Sequence, residues 1–214
     1  MWRSWGKRWF DVAASALGLV GLSPLLLFTA ILVRIKHGAP VVFRQERPGR
    51  DQKPFLIYKF RTMTEDRDST GALLPDSARL TRFGAWLRST SFDEFPELLN
   101  VLKGDMSLVG PRPLLMRYTP YFSDEELARF SVRPGITGLA QIAGRNLVSW
   151  DERIRTDLKY VETCSMTTDL RILFLTFWQV IKREGIVVDA RAGMLNFDEE
   201  RRQRQAATAQ ERRK

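Results

Sequence analysis

The sequence has little of the residues that build most zinc and redox sites. Among 214 residues there are one cysteine, Cys164, and one histidine, His37. A single cysteine excludes an internal disulfide bond, and one cysteine with one histidine argues against a zinc site. Any chemistry must therefore come from carboxylates, lysines, arginines and hydroxyl groups.

Negative charge is the scarcer sign, because 34 lysines and arginines stand against 25 aspartates and glutamates, a formal charge of +9. A basic chain suits phosphate-bearing partners, whether nucleic acid, anionic lipid or a nucleotide, and composition does not choose among them. The sequence lacks a recognisable nucleic-acid-binding module, so we expect no nucleic-acid partner. Its length allows one domain with a sizeable core.

A long segment without charge, residues 12 to 33, follows the amino terminus. As a straight helix it would rise about 33 Å, enough to cross a bilayer core of roughly 30 Å. Ser23-Pro24 lies near its middle, where proline removes a helical hydrogen bond, so we expect a kink. The Ser23 hydroxyl is placed to satisfy a backbone group that the kink frees.

Both flanks of this segment are basic, with Arg3, Lys7 and Arg8 before it and Arg34 and Lys36 after it. The positive-inside tendency draws both ends to the cytoplasmic side. A helix, break and second helix that enter and leave on one face satisfy that tendency. A kinked helix that crosses the bilayer is the alternative that these residues leave open.

The rest of the chain predicts an α+β domain that is mostly helical. Residues 39 to 50 and 53 to 63 predict two strands joined by a turn at Pro48-Gly49. Helical spacing follows at residues 78 to 89, and a second helix is expected at about residues 92 to 103.

Two features close the chain. A helix at about residues 168 to 183 has an uncharged core too short to span a bilayer, and we expect it to be buried rather than interfacial. Residues 198 to 214 are charged and lack aromatic side chains, which predicts a frayed helix or disorder.

Two adjacent acids, Asp93 and Glu94, lie at the start of the helix at 92 to 103. Ser91-x-x-Glu94 matches a capping box, in which both side chains satisfy helix-start donors and neither does chemistry. Pro96 weakens this interpretation, because it would lie inside a helix that begins at Ser91. A later start would place the proline in the first turn and the two acids before the helix.

Several cations adjoin the acidic pair along the chain, many of them on glycine- or proline-rich turns: Lys59, Arg88, Arg112, Arg133 and Arg145. Arginine forks match phosphate oxygens, and glycine lets backbone donors approach an anion. Carboxylates in the same site would repel a phosphate, so we expect Mg²⁺ between them, held by Asp93 and Glu94. A rigid turn, a solvent-facing lysine and a packed loop are the structural alternatives.

Taken in order, these segments resemble one family, the monotopic polyprenol-phosphate phosphoglycosyl transferases, also called bacterial sugar transferases. The likeness covers about residues 1 to 185. The chain is similar to the compact members of the family, especially those that transfer diacetylbacillosamine phosphate. The matching motifs are the apolar segment with Ser23-Pro24, FRQERPG, YKFRTM, the loop ending LLPD, RLTRFGAWLRSTSFDEFPELLNVLKGDMSLVGPRPLL, and VRPGITGLAQIAGRN followed by Trp150.

The resemblance implies an architecture and a location. Residues 1–36 would form a re-entrant membrane helix broken at Ser23-Pro24, and residues 37–190 a catalytic domain with a short hairpin and interfacial helices. Residues 191–214 would be a disordered tail. The catalytic domain would lie on the cytoplasmic face of the bacterial inner membrane, in contact with its lipid.

The resemblance also implies a reaction, the transfer of a sugar-1-phosphate from a UDP-sugar to polyprenyl phosphate with release of UMP. Asp93 would be the nucleophile of a covalent intermediate, and Glu94 a metal ligand or proton handler. The phosphate-binding candidates are Lys59, Arg88, Arg112, Arg133 and Arg145. A membrane-bound adaptor with an inactive domain is the alternative function.

Overall fold

The computed structural model describes residues 2–144, 148–182 and 195–211. This part of the chain is mostly helical, with two small two-stranded sheets, which confirms the predicted α+β class. The helices are α1 (Lys7–Gly21), α2 (Ser23–His37), α3 (Asp76–Arg79), α4 (Arg82–Ser89), α5 (Glu97–Lys103), α6 (Leu139–Ala143), α7 (Trp150–Thr163), α8 (Met166–Lys182) and α9 (Phe197–Glu211). The strands are β1 (Val42–Pro48), β2 (Pro54–Phe60), β3 (Ser107–Val109) and β4 (Gly135–Thr137).

Helices α1 and α2 meet at a sharp break, where their axes differ by 64°. Pro24 lies in the first turn of α2, and the Ser23 hydroxyl donates a 2.7 Å hydrogen bond to the Val20 carbonyl. The expected break and the expected role of Ser23 are therefore confirmed. None of the described helices is by itself long and apolar enough to cross a bilayer, whereas this bent pair qualifies on length and composition alone.

The amino-terminal end of α1 is held by a buried carboxylate, Asp169 of α8. Lys7 Nζ lies 2.7 Å from Asp169 Oδ2, and Trp2 Nε1 donates to the same oxygen at 2.9 Å. Tyr160 of α7 donates to the other oxygen at 2.7 Å. Lys7, which the sequence places on a basic flank, is thus also an internal partner of the domain.

Arg8 ties α1 to α5. Its two terminal nitrogens donate to the Val101 carbonyl at 2.5 Å and the Leu102 carbonyl at 2.8 Å. These carbonyls lie in the last turn of α5, where a cation is favourable. The bent pair and the helix that follows the acidic pair are therefore directly joined.

The hairpin confirms the two predicted strands, since β1 pairs antiparallel with β2 from Val42 opposite Phe60 to Pro48 opposite Pro54. Asn100 of α5 is fully buried against β2. Its side-chain amide donates to the Leu56 carbonyl at 2.6 Å and accepts from the Tyr58 amide at 3.0 Å. A side chain that satisfies both backbone groups fixes α5 against the strand that carries Lys59.

Strands β3 and β4 pair in parallel at very close range. A Cβ built on Gly135 would lie 2.1 Å from the Gly110 nitrogen, and one on Gly138 would lie 2.1 Å from the Gly110 carbonyl oxygen. These glycines therefore permit two backbone segments to touch each other, which is a packing role. The expectation that such glycines admit a phosphate stays a prediction.

Helix α8 differs from the buried core helix that its sequence suggests. Asp169 and Ile172 are buried on one side, but most of the aromatic and aliphatic side chains of its second half are exposed. The exposed apolar side chains along the whole helix are Met166, Leu170, Phe174, Phe177, Trp178 and Ile181. The expectation of a buried core helix is therefore wrong for this face, which remains without a partner in the described chain.

Of the two alternatives for the tail, the helix is the one that the structure shows, because residues 197–211 form helix α9. Phe197, one residue before the segment that lacks aromatics, is fully buried against Tyr118, Phe122 and Trp150. Arg201 donates to Glu126 Oε1 at 2.5 Å, which pairs part of the basic run within the fold. Burial of the single ring of Phe197 thus anchors this helix to the domain, although the residues that follow it are mostly polar.

We expect Phe197→Ala to lower the free energy of unfolding by about 3–5 kcal/mol, because it removes a buried ring and leaves a cavity. Urea unfolding measures this change, and limited proteolysis of the carboxyl-terminal segment reports whether α9 detaches. Phe43→Ala, which truncates an exposed ring on β1, is the control and should cost much less. Equal losses for the two variants would contradict a docked α9.

Candidate active site

The acidic pair lies on a single 3₁₀ turn, Phe92–Glu94, just before α5. Ser91 precedes the turn with a left-handed backbone (φ 57°), and its side chain makes no capping hydrogen bond. Pro96 is the residue at the N-cap of α5, where its missing N–H costs nothing. The capping-box alternative is therefore wrong. The helix does start later, with both acids before it, but it begins at Glu97, so Pro96 precedes the first turn instead of lying in it.

The Glu94 carboxylate is bound by two cations instead of by the helix backbone. Lys59 Nζ and Arg112 Nη2 each donate to Glu94 Oε1 at 2.6 Å. Lys59 comes from β2 and Arg112 from the Gly-Pro-Arg-Pro turn after β3. Three segments that are distant in sequence thus meet at one carboxylate oxygen.

Glu97 is a site residue that the sequence analysis missed. It is only 2% exposed, and its Oε1 lies 3.1 Å from Lys59 Nζ. The signal was its spacing, since it comes three residues after Glu94 and directly after Pro96. Lys59 therefore lies between the buried Glu97 and the mostly buried Glu94. It does not face solvent, which was the alternative for this strand residue.

Asp93 is also buried, with 7% of its surface exposed. Burial is the main cause that raises the pKa of Asp93 to about 6, and the charge of Glu94 adds to it. Lys59, Arg88 and Arg112 oppose this rise. The Asp93 carboxyl group therefore ionises close to neutral pH, and the positive charges of Lys59, Arg88 and Arg112 act on it.

The neighbouring acids respond differently to the same surroundings. Burial disfavours the charged form of Glu94, but Arg112 and Lys59 outweigh it and hold the pKa of Glu94 well below its usual range. Burial dominates at Glu97 and raises its pKa to about 7. For Lys59, Glu94 and Glu97 together overcome burial, so its pKa lies above the usual value. The three neighbouring carboxyl groups, Asp93, Glu94 and Glu97, therefore have different pKa values.

Arg88 reaches the site from α4. Its Nε donates to the Thr62 hydroxyl at 3.0 Å, next to the end of β2, and its charge acts on Asp93. Gly84 makes this approach possible, because a Cβ there would lie 1.8 Å from the Thr62 carbonyl oxygen. Any side chain at Gly84 would push α4 and Arg88 away.

The position of Arg112 depends on a buried ion pair. Arg129 Nη2 donates to the Arg112 carbonyl at 2.9 Å and to Asp157 Oδ2 at 2.7 Å. Arg129 and Asp157 are both almost fully buried. No sequence motif indicates this support, because Arg129 follows Arg112 by 17 residues and belongs to a separate turn.

Arg133 does not join Lys59, Arg88 and Arg112 around the acidic pair. Its Nε donates to the Gly104 carbonyl at 2.8 Å, at the far end of α5. The charged groups that act on it are Arg8, Arg50 and Asp11. Its predicted role in phosphate binding stays a prediction. The other candidate, Arg145, lies outside the described residues.

A small polar cavity opens beside Lys59 and Glu97. Arg47, Ile57, Arg112 and Pro113 complete its lining. The described residues contain no group of three acidic, histidine or cysteine side chains that could hold a metal ion. Mg²⁺ needs only one or two carboxylates together with substrate phosphates, so Asp93 and Glu94 are a fitting donor pair for it.

Comparison with known proteins places this site in context. The model of the family described as bacterial sugar transferase matches residues 2–183. A Bacillus subtilis protein named "Uncharacterized sugar transferase EpsL" is 54% identical over 84% of this chain and 89% of its own length. The UDP-glucose:undecaprenyl-phosphate glucose-1-phosphate transferase of Caulobacter vibrioides is 42% identical over 79% of this chain and 67% of its own length. The undecaprenyl-phosphate galactose phosphotransferase of Salmonella typhimurium is 36% identical over 84% of this chain but only 41% of its own length.

We expect Asp93→Asn to stabilise the protein at pH 8 by about 1–3 kcal/mol. The pKa of Asp93 is about 6 in the fold and near its ordinary value of 3.8 in the unfolded chain. Wild type therefore loses stability as pH rises from about 4 to 6, since folding then opposes ionisation of this carboxyl group. Near pH 4 the variant and wild type should be similar in stability.

Urea unfolding at the two pH values measures this difference. Asp124→Asn, which neutralises an exposed acid, is the control and should change the free energy of unfolding equally at both pH values. If Asp93→Asn behaves like this control, burial does not hold the Asp93 carboxyl group neutral.

Proposed function

The chain belongs to the bacterial sugar transferase family, and from that premise we propose that it moves a sugar-1-phosphate from a UDP-sugar to undecaprenyl or another polyprenyl phosphate. The names of the Caulobacter and Salmonella relatives support this reaction. The observation that carries the proposal is the buried Asp93, set on a turn among Lys59, Arg88 and Arg112. Cations converging on a carboxylate suit an attack on a diphosphate, where negative charges must approach each other.

The proposed reaction has two displacements at one phosphorus atom. A carboxylate oxygen of Asp93 attacks the phosphorus that carries the sugar, the new O–P bond forms, and UMP leaves with the electrons of the broken bond. An oxygen of polyprenyl phosphate then attacks the same phosphorus and releases the Asp93 carboxylate. With its pKa about 6, Asp93 is mostly ionised at neutral pH and needs no separate base.

The other residues of the site would hold the phosphates in place. Lys59 and Arg112 both bind Oε1 of Glu94, so these two bonds leave Oε2 to face a further ligand. We propose that Asp93 and Glu94 hold Mg²⁺ there, as their hard oxygen donors suit it. When bound, the ion supplies positive charge that reduces repulsion between the carboxylate and the diphosphate.

We further propose that the protein is monotopic, with α1 and α2 as a re-entrant pair and the domain on the cytoplasmic face of the bacterial inner membrane. The bent apolar pair and the exposed apolar face of α8 support this. Trp5 and Trp9 are also exposed, as expected of rings at a membrane interface. This arrangement brings the site to the surface where a lipid phosphate and a soluble nucleotide sugar can meet.

The reaction predicts UMP release from a UDP-sugar in the presence of polyprenyl phosphate and Mg²⁺. A panel of UDP-sugars identifies the donor. Asp93→Asn should reduce the rate by at least about a thousandfold, because it removes the nucleophile. With donor but no acceptor, intact-mass measurement should find one sugar phosphate on wild type and none on the variant.

Asp124→Asn is the control and should keep the wild-type rate. UMP release by Asp93→Asn at the wild-type rate would refute the assignment of the nucleophile. No release by wild type from any UDP-sugar, with or without Mg²⁺, would favour the inactive adaptor instead.

The re-entrant arrangement predicts that both ends of the bent pair lie on one side of the membrane. In a Cys164→Ser background, Trp5→Cys and Lys36→Cys should both resist an impermeant maleimide in intact cells and both react in inside-out vesicles. Gly21→Cys is the matched control near the break, where a Cβ meets nothing within 4 Å, and should be shielded in both. Opposite labelling of Trp5→Cys and Lys36→Cys would instead establish a crossing helix.

A further inference from the structure

Four aromatic rings form a continuous row that ends beside the acidic pair. Phe83 stacks on Trp86 with ring centroids 6.0 Å apart, Trp86 meets Phe92 edge-on at 5.7 Å, and Phe92 lies 4.9 Å from Phe95. We call these four residues the aromatic row. Phe92 and Phe95 stand directly before and after Asp93 and Glu94 in the sequence, so this end of the row lies on the turn that carries the proposed nucleophile.

The other end of the aromatic row rests on the bent helix pair. Phe83 and Phe92 pack on the cluster of Val33, Phe60 and Leu87, and side chains of α2 pack on the same cluster. The row therefore connects α2 to the turn that carries Asp93.

Trp86 is the exposed member of the row. It is 42% exposed, whereas Leu87, its neighbour in α4, is fully buried in the cluster below. Leu87 seals the core on the inner side of α4, so stability of that core does not require an indole on the outer side. A large exposed ring that contacts a row of further rings is typical of a binding surface.

Charge indicates what kind of ligand fits. The row is apolar along its length, but at Asp93 it meets the positive charges of Lys59, Arg88 and Arg112. A ligand that matches both parts has an anionic head and an apolar tail. Nucleotide sugars lack such a tail.

We propose that the aromatic row binds the first isoprene units of the polyprenyl phosphate acceptor. This inference rests on the proposed function, in which the acceptor phosphate must reach the phosphorus held by Asp93. The chain attached to that phosphate must then leave the site from the same place, and the row is the apolar path from Asp93 to α2. Its ring spacings are comparable to the length of one isoprene unit, and flat ring faces suit the methyl-bearing double bonds of the chain.

The test compares Trp86→Ala with wild type on two acceptors in detergent, a long polyprenyl phosphate and one with a single isoprene unit. Counted from Asp93, Trp86 comes after Phe92 and Phe95, so only the long acceptor should contact it. We expect the KM for the long acceptor to rise about tenfold in Trp86→Ala. The KM for the short acceptor and for the UDP-sugar should change by less than about twofold.

Two controls separate this role from general effects. Leu73→Ala truncates an exposed apolar side chain in the 64–77 loop and should leave the long-acceptor KM unchanged. Trp86→Phe keeps a ring and should recover most of the affinity. Binding of Trp86→Ala to vesicles without acceptor should match wild type, since weaker binding would mean that Trp86 contacts bulk lipid.

The proposal is overturned if Trp86→Ala handles the long acceptor as wild type does, or if both acceptors are affected equally. It is also overturned if weaker vesicle binding accounts for the whole change in KM. Failure of the proposed function would look different, because wild type would then release no UMP with either acceptor.

Discussion

Lys59 lies between two carboxylates that are largely shielded from solvent, Glu94 and Glu97, and the packing around the site follows from that arrangement. A buried charge is tolerated only when opposite charges satisfy it. The fold must therefore bring Glu94, Glu97 and Lys59 together. The Asn100 side chain, bonded to Leu56 and Tyr58, sets α5 against β2 at the level where this happens. A shift of one residue in β2 would turn Lys59 to the opposite face of the strand and leave both acids without it.

Arg112 is the second cation that Glu94 needs, and it is supported from outside the site. Glycines at β3 and β4 let two backbones touch, while Arg129 and Asp157 hold the Arg112 carbonyl. Removing one member of such a buried pair costs more than the pair contributes, because the remaining charge is left alone. The rigid Gly-Pro-Arg-Pro turn and the phosphate-binding hypothesis are therefore compatible, since a fixed turn is what aims the guanidinium.

Most residues of the site could be predicted from sequence motifs, because the charged residues of the site stand on recognisable turns. Asp93, Glu94, Lys59, Arg88 and Arg112 were identified from those motifs, and the structure brings them together. Glu97 and Phe197 were not predicted from motifs. The burial of Glu97 at a helix start, and of Phe197 before a polar tail, depends on partners that are distant in the chain. Arg133 shows the reverse case, because a glycine-rich motif does not reveal which end of α5 its arginine contacts.

Polar contacts, and not apolar packing alone, join the bent helix pair to the site. Arg8 binds the carboxyl-terminal end of α5, and Lys7 binds Asp169 of α8. The acidic pair lies at the opposite end of α5, which is only one short helix away. The depth at which α1 and α2 enter a bilayer would therefore also set the depth of Asp93. Apolar contacts can slide, whereas a guanidinium bonded to two carbonyls fixes both distance and rotation. Basic residues at the start of α1 therefore serve the fold directly.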